Sequence, residues 1–156
     1  MIAHKILQHF DFARADEFDI QLSEMLSRGV VRKSELSQIN AERIKKAVKS
    51  EVFTRLNGYE LYREKSFIAQ AGAKELFGAD TNESVVIQGV IDLLAVKDDC
   101  IAVVDYKYSR AGVARLKARY KKQLDVYAST AARVLGKKIE FKTLVNLYSG
   151  EVIEIT

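Results

Sequence analysis

Cysteine is nearly missing from this sequence of 156 residues, where Cys100 stands alone. One thiol cannot make an intramolecular disulfide or build a multi-cysteine metal site. It also sits in an apolar run, Cys100-Ile-Ala-Val-Val, where a buried structural thiol is expected rather than a nucleophile. Proline is absent altogether, and the sequence offers no physical reason for that. No apolar run approaches the roughly 20 residues that a membrane-spanning helix needs. The N-terminus carries no signal-peptide pattern, so a reducing cytoplasm is the expected compartment. There is no Gly/Ser-rich linker, internal repeat or low-complexity stretch, and a single domain over residues 1–156 is expected. No Gly-x-x-x-x-Gly-Lys-Ser/Thr phosphate loop occurs either, which removes the P-loop motor class.

What is present describes a globular chain: 48% hydrophobic and 29% charged residues, at a length that can bury a core. The net charge of +4 and a pI near 9.1 suit a polyanionic partner without requiring one. The first half reads as helices. Ile2, Ile6, Leu7 and Phe10 keep helical spacing, and Ile20, Leu22, Met25 and Leu26 suggest a second helix ended by Gly29. A third runs from about Asn40 to Lys49 with Ile44 and Val48 inward and Ser37 or Asn40 as cap. Ser50 is placed to cap a fourth that buries Val52, Phe53 and Leu56 before Gly58.

The period then changes. Tyr59 to Gln70 reads as a strand, and Ser84 to Val96 and Cys100 to Tyr108 form two apolar strands around the turn Lys97-Asp98-Asp99. Their near-continuous apolar character places them in the centre of a layered sheet with both faces covered. Gly112 to Leu135 is a long helix whose stripe runs through Val113, Leu116, Tyr120, Leu124, Tyr127, Ala131 and Leu135, with Gly136 as its stop. Lys138 to Tyr148 and Glu151 to Ile155 close the chain as strands about Ser149-Gly150. This order makes a mixed α/β domain.

Charges inside the apolar strands carry the chemical information. Asp92 interrupts Val86-Ile-Gln-Gly-Val-Ile-Asp-Leu-Leu, and Asp105 and Lys107 end Ile101-Ala-Val-Val-Asp-Tyr-Lys. Isolated buried charges are costly, so three on neighbouring strands require one another or a cation. Alternation puts Asp105 and Lys107 on one face of their strand, and the hairpin lets Asp92 reach the same place. Two carboxylates and an ammonium make a hard, oxygen-rich site suited to Mg²⁺ or Mn²⁺. Such a site serves phosphodiester hydrolysis, in which a metal acidifies water and a lysine stabilises developing charge.

Gly89-x-x-Asp92, Asp105-x-Lys107 and Gln123-x-x-x-Tyr127, preceded by His4 and by Arg63-Glu64-Lys65, resemble the PD-(D/E)xK nuclease superfamily. Within it the pattern is most similar to the RecB-like branch, namely the C-terminal nuclease domain of AddA-type helicase-nucleases. The whole ordered set is specific, whereas Asp-x-Lys alone is weak. The resemblance implies an α/β, restriction-endonuclease-like fold, a central mixed sheet flanked by helices with a helical N-terminal part. It implies a divalent-metal-dependent deoxyribonuclease using Mg²⁺ or Mn²⁺, acting in double-strand-break repair and recombination.

The roles it implies fall on particular residues. Asp92, Asp105, His4 and the backbone carbonyl of Tyr106 are implied metal ligands, and Lys107 the catalytic lysine. Glu64 is implied to orient the metal's surroundings or contribute directly, and Gln123 and Tyr127 to contact DNA or buttress the site. Arg115, Arg119 and Lys122 are expected contacts to the DNA backbone, giving sequence-independent affinity. The implied partners are DNA, chiefly single-stranded, a helicase domain or helicase subunit, and an AddB-like protein. Tyr108 departs from the threonine common after the lysine, with an expected effect on local hydrogen bonding only. The small residues that usually precede the histidine are missing because the chain begins at Met1, which points to an excised domain or a natural fragment. The lone cysteine excludes the iron–sulfur clusters of AddB- and Cas4-like relatives. Two alternatives stay open: a nuclease-fold module that binds DNA or a partner without cutting, and a small α/β protein whose strand charges are structural.

Overall fold

A computed structural model describes all of Met1–Thr156. The helical first half comprises α1 (Ile2–His9), α2 (Phe18–Ser27), α3 (Lys33–Leu36), α4 (Ala41–Ala47) and α5 (Glu51–Thr54), with a 3-10 segment at Phe12–Glu17. The second half comprises β1 (Glu60–Gly72), α6 (Ala73–Phe77), β2 (Ser84–Val96), β3 (Cys100–Lys107), α7 (Val113–Leu135), β4 (Lys138–Asn146) and β5 (Val152–Glu154). The five strands form one sheet in the order β1-β2-β3-β4-β5. Every neighbouring pair is antiparallel except β3–β4. That parallel pair needs a crossover, which α7 supplies.

Where β2, β3 and β4 pair, each face of the sheet is covered; in the first half of β2 the expectation of two covered faces fails, since Val86 and Val90 are exposed. On one face α1, α2, α4 and α5 bury Ile6, Leu7, Phe18, Met25, Ile44 and Phe53 against Leu93, Ala95, Val104 and Tyr106. On the other, Leu116, Leu124, Ala128 and Ala131 of α7 pack on Ile91, Leu94, Ile101, Val103 and Leu144. The mixed α/β, restriction-endonuclease-like architecture is therefore present, with the helical part on one side and α7 on the other. No helix is long and apolar enough to cross a membrane.

Several local expectations need correction. In α2 the buried face is Phe18, Gln21 and Met25, while Ile20 is 55% exposed. The cause is Gln21, whose amide is fully used: it accepts from Asp11 N and donates to the carbonyls of Asp11 and Arg14. A polar residue so satisfied can be buried at no net loss. Asn40, not Ser37, caps α4 by accepting the Glu42 N–H. Ser50 occupies the N-cap position of α5 but makes no capping bond; its hydroxyl donates back to the Ala47 carbonyl. On α7 the ends of the stripe, Val113 and Leu135, are 39% and 42% exposed, since the helix overhangs the sheet.

The feature that positions the site is a fork. β1 and β2 pair along almost their full length, but β3 pairs with β2 only over Leu93–Val96. Before Leu93, β2 and β1 leave the sheet as a two-stranded arm whose residues alternate between exposed and half-buried. Asp92 stands where β2 parts from β3.

Candidate active site

Asp92 occupies the fork because backbone pairing stops there. The β1–β2 ladder omits one rung, Glu64 opposite Asp92, and Glu64 is the sole non-glycine residue with positive φ, at 51°. Alternation also breaks here: Ile91 packs on the α7 side and Leu93 on the other. The freed Asp92 carboxylate continues the ladder by side chain, its Oδ2 accepting the Tyr106 N–H at 2.8 Å. From across the sheet, α1 brings His4 to the same point. His4 Nε2 lies 3.2 Å from Asp92 Oδ2 and 3.0 Å from the Tyr106 carbonyl oxygen. Three of the four expected ligands, His4, Asp92 and the Tyr106 carbonyl, therefore converge from three separate elements.

Asp105 and Lys107 share one face of β3, as alternation predicted. Lys107 Nζ is 2.7 Å from Asp105 Oδ2 and 4.3 Å above the Tyr120 ring on α7. That short ion pair is the one partner of Asp105 Oδ2. Burial and the neighbouring Asp92 charge push the Asp105 carboxyl up to about 6, with Lys107 and His4 pulling the other way. Burial drives the His4 imidazole down, but the hydrogen bond and charge of Asp92 and the charge of Asp105 outweigh it, so its pKa is raised. Burial and Asp92 likewise raise Glu64. These reciprocal effects place Glu64, His4, Asp92 and Asp105 within one electrostatic neighbourhood. No three His, Cys, Asp or Glu side chains stand at metal-binding spacing; Asp105 faces Lys107.

The donor set still fits a hard divalent cation. It offers one imidazole nitrogen, a backbone carbonyl and two carboxylates. His4 Nε2, Asp92 Oδ2 and the Tyr106 carbonyl already lie within 3.2 Å of one another, and Asp105 is held by Lys107 on the same strand as Tyr106.

A family model described as the PD-(D/E)XK nuclease superfamily matches residues 1–149. The chain belongs to the PD-(D/E)XK nuclease superfamily. Among curated proteins it is similar to an ATP-dependent helicase/nuclease subunit of Alkaliphilus metalliredigens, 32% identical over 149 residues, which are 89% of this chain and 12% of that protein. The helicase/nuclease subunits of the same name from Acetivibrio thermocellus and Clostridioides difficile are 29% and 27% identical, covering 97% and 92% of this chain and 13% of each relative. The chain thus spans about an eighth of the length of these relatives.

Two further superfamily signatures, the glycine of Gly89-x-x-Asp92 and the Gln123-x-x-x-Tyr127 pair, explain each other. A Cβ on Gly89 would lie 2.7–2.8 Å from the rings of Phe67 and Tyr127. Glycine therefore lets Tyr127 of α7 lie across β2, where it meets Phe67 edge-on at 5.0 Å. Gln123 Nε2 donates to the Tyr127 hydroxyl at 2.8 Å, and neither side chain bonds to the charged centre. Arg115, Arg119 and Lys122 are exposed along α7; Lys122 Nζ stands 5.4 Å over Phe77 of α6.

Two positioning residues escaped the sequence reading. Arg63 donates to the Phe10 carbonyl at 2.8 Å and ties β1 to the end of α1, and so to His4. Asn146, buried at the end of β4, accepts from Ser109 N and Tyr148 N and donates to Ser109 O. It thus staples the chain just past Lys107 to the sheet. Its signal was a polar residue closing an apolar strand.

Proposed function

We propose that this chain is the metal-dependent DNA nuclease module of a helicase-nuclease, with Mg²⁺ or Mn²⁺ as cofactor and a role in double-strand-break repair and recombination. The observation that carries this reading is the convergence of His4 Nε2, Asp92 Oδ2 and the Tyr106 carbonyl within 3.2 Å, beside a paired Asp105 and Lys107. His4, Asp92, Asp105 and the Tyr106 carbonyl would hold the cation. When bound, it would polarise a phosphoryl oxygen and acidify water.

The chain's own groups do the rest. The Lys107 ammonium, held over Tyr120 and against Asp105, supplies a fixed positive charge where the phosphorane-like transition state becomes more anionic. Asp105 would be one of the groups that hold the cation, and Lys107 would offer its ammonium N–H donors to the substrate phosphate. Glu64, whose backbone faces Asp92 across the missing rung of the β1–β2 ladder, would orient water about the centre. Gln123 and Tyr127 buttress β2 through Gly89, and Arg115, Arg119 and Lys122 hold the phosphate backbone without reading sequence. The substrate is DNA, chiefly a single strand delivered by a helicase domain or helicase subunit, with an AddB-like protein as a further partner, in the cytoplasm. The names of the relatives support the helicase partnership.

The test is cleavage of labelled single- and double-stranded DNA with Mg²⁺ or Mn²⁺, comparing the unmodified chain with Asp105→Ala and Lys107→Ala. Cleavage that requires the metal and both side chains is the expected result. Tight binding without cleavage in any divalent metal would replace this reading with a non-catalytic binding module.

A further inference from the structure

The carboxyl ends of the parallel strands β3 and β4 open onto a cavity of about 440 Å³, closed on its other side by the start of α4. The walls here are aromatic and cationic, formed chiefly by Asn40, Arg43, Tyr108, Arg110 and Tyr148, and no carboxylate lines them. The Arg43 guanidinium stacks over the Tyr148 ring at 3.9 Å and donates one bond to the Tyr148 carbonyl at 2.6 Å. A guanidinium has five N–H donors, so the others remain for an incoming acceptor. Arg110 stands 5.8 Å over the same ring, exposed and without a hydrogen-bond partner. Tyr108 meets Tyr148 edge to face at 5.5 Å, and its hydroxyl is fixed by accepting the Asn40 N–H at 3.0 Å.

We propose that this cavity is a nucleotide subsite for an unpaired strand, in which a base lies against the Tyr108, Tyr148 and Arg43 surfaces and a backbone phosphate pairs with Arg110 and Arg43. The choice of polymer rests on the nuclease reading above. The argument has three parts. Two arginines with no facing carboxylate favour an anion, and a guanidinium offers a planar fork to phosphate. Tyrosine rings and guanidinium planes are the surfaces on which unstacked bases pack, whereas bases within a duplex keep their faces covered. The cavity is also rigidly joined to the candidate active site. Tyr108 directly follows Lys107, the Leu147 N–H donates to the Lys107 carbonyl at 2.7 Å, and Asn146 fixes both Ser109 and Tyr148. Adjacent strand residues point to opposite faces, so a strand with one phosphate at Lys107 passes round the end of β3 to reach Tyr108. The subsite would hold a neighbouring nucleotide and set the register of the phosphate at the centre.

The experiment is equilibrium binding of a labelled oligothymidylate to the 156-residue chain in EDTA, followed by fluorescence anisotropy across a salt series. Arg110→Ala, at an exposed position that cannot compromise folding, should flatten the slope of log affinity against log salt by about 0.7, as for one lost phosphate contact on a single strand. Tyr148→Ala should weaken binding roughly 5- to 100-fold, the range of one lost base stack, and Tyr148→Phe should restore it. Any of these outcomes would overturn the subsite: an unchanged slope in Arg110→Ala together with full affinity in Tyr148→Ala, no oligothymidylate binding by the unmodified chain, or duplex bound as tightly with the same sensitivity. Thymidine monophosphate binding as tightly as the oligomer would also overturn it, making the cavity a free-nucleotide site. Asp105→Ala separates this proposal from the nuclease reading, because it should fail to cleave while oligothymidylate binding in EDTA keeps its sensitivity to Arg110→Ala and Tyr148→Ala. An unmodified chain that shows the expected binding pattern yet never cleaves would leave the subsite standing and end the nuclease reading.

Discussion

At neutral pH the buried Asp105 carboxylate opposes folding. Its pKa in the native state is about 6, against roughly 3.9 in an unfolded chain. Between those values the native state holds the proton more tightly, so stability falls as pH rises through the window from about 4 to 6 and stays reduced above it. Asp105→Asn keeps the size and a hydrogen-bonding oxygen and removes the charge. Its thermal midpoint in EDTA should exceed that of the unmodified chain by a few degrees at pH 7.5, and the difference should vanish below about pH 4, while cleavage is lost. An equal or lower midpoint at pH 7.5 would show that Lys107 compensates the burial in full. The same carboxyl couples metal binding to protons, since a cation requires Asp105 ionised and His4 neutral. Calorimetric titration with Mn²⁺ should show affinity rising from pH 5.5 to 7.5 with proton release; equal affinity at both would exclude these two groups as ligands. Asp92, Asp105 and Lys107 were legible as residues because charges inside apolar strands are rare. The direction in which Asp105 points was not legible, because alternation names a face and not a partner.

At the scale of elements, the arm of β1 and β2 meets α7 through one missing side chain. Gly89→Ala would drive a methyl group into the Phe67 and Tyr127 rings, and overpacking of that kind costs about 1–3 kcal/mol. Denaturant unfolding should show that loss, and Tyr127→Ala in the same chain should recover part of it, since contacting residues do not add. Strictly additive losses would mean that the ring does not press on Gly89. Asn146→Ala leaves the Ser109 and Tyr148 N–H groups without their acceptor and should cost roughly 1–3 kcal/mol; a loss of less than a few tenths would show that Asn146 is no staple. Sequence periodicity found α1, α4, the β2–β3 hairpin and α7, each long enough or regular enough to repeat its pattern, and the short α5 through its apolar triplet between Ser50 and Gly58. It missed α3 and α6, four and five residues long, because a single turn contains no period and neither is framed in that way. In α2 it placed Met25 and Leu22 correctly but misplaced Ile20 and overlooked Gln21, since burial of Gln21 depends on acceptors and donors in the preceding segment that no helical wheel contains.

Across the whole molecule, the candidate site is held by contacts that cross the chain. His4 and Tyr106 are 102 positions apart, and Arg63 reaches back to Phe10. A cation gripped by α1, β2 and β3 together should therefore stabilise the global fold. Mn²⁺ at 100 times its dissociation constant should add about 2.7 kcal/mol, seen as a rise in thermal midpoint that EDTA reverses and that Asp92→Asn abolishes. No shift at saturating metal would mean that the cation binds outside this centre.

The order of helix, hairpin, crossover helix and closing strands follows from the sequence alone, as do the alternation that puts Asp105 and Lys107 on one face and the motif series that marks the superfamily. Those properties are local, set by spacing within one element or by the identities of residues in order. The tertiary structure alone decided that His4 meets Asp92 and the Tyr106 carbonyl, that β2 leaves β3 at Asp92, and that Arg43 closes over Tyr148. Each of these joins elements far apart in the chain. Which charges meet is set by strand register and by how the helices lie across the sheet, and both are fixed only when the two faces of the sheet are packed together.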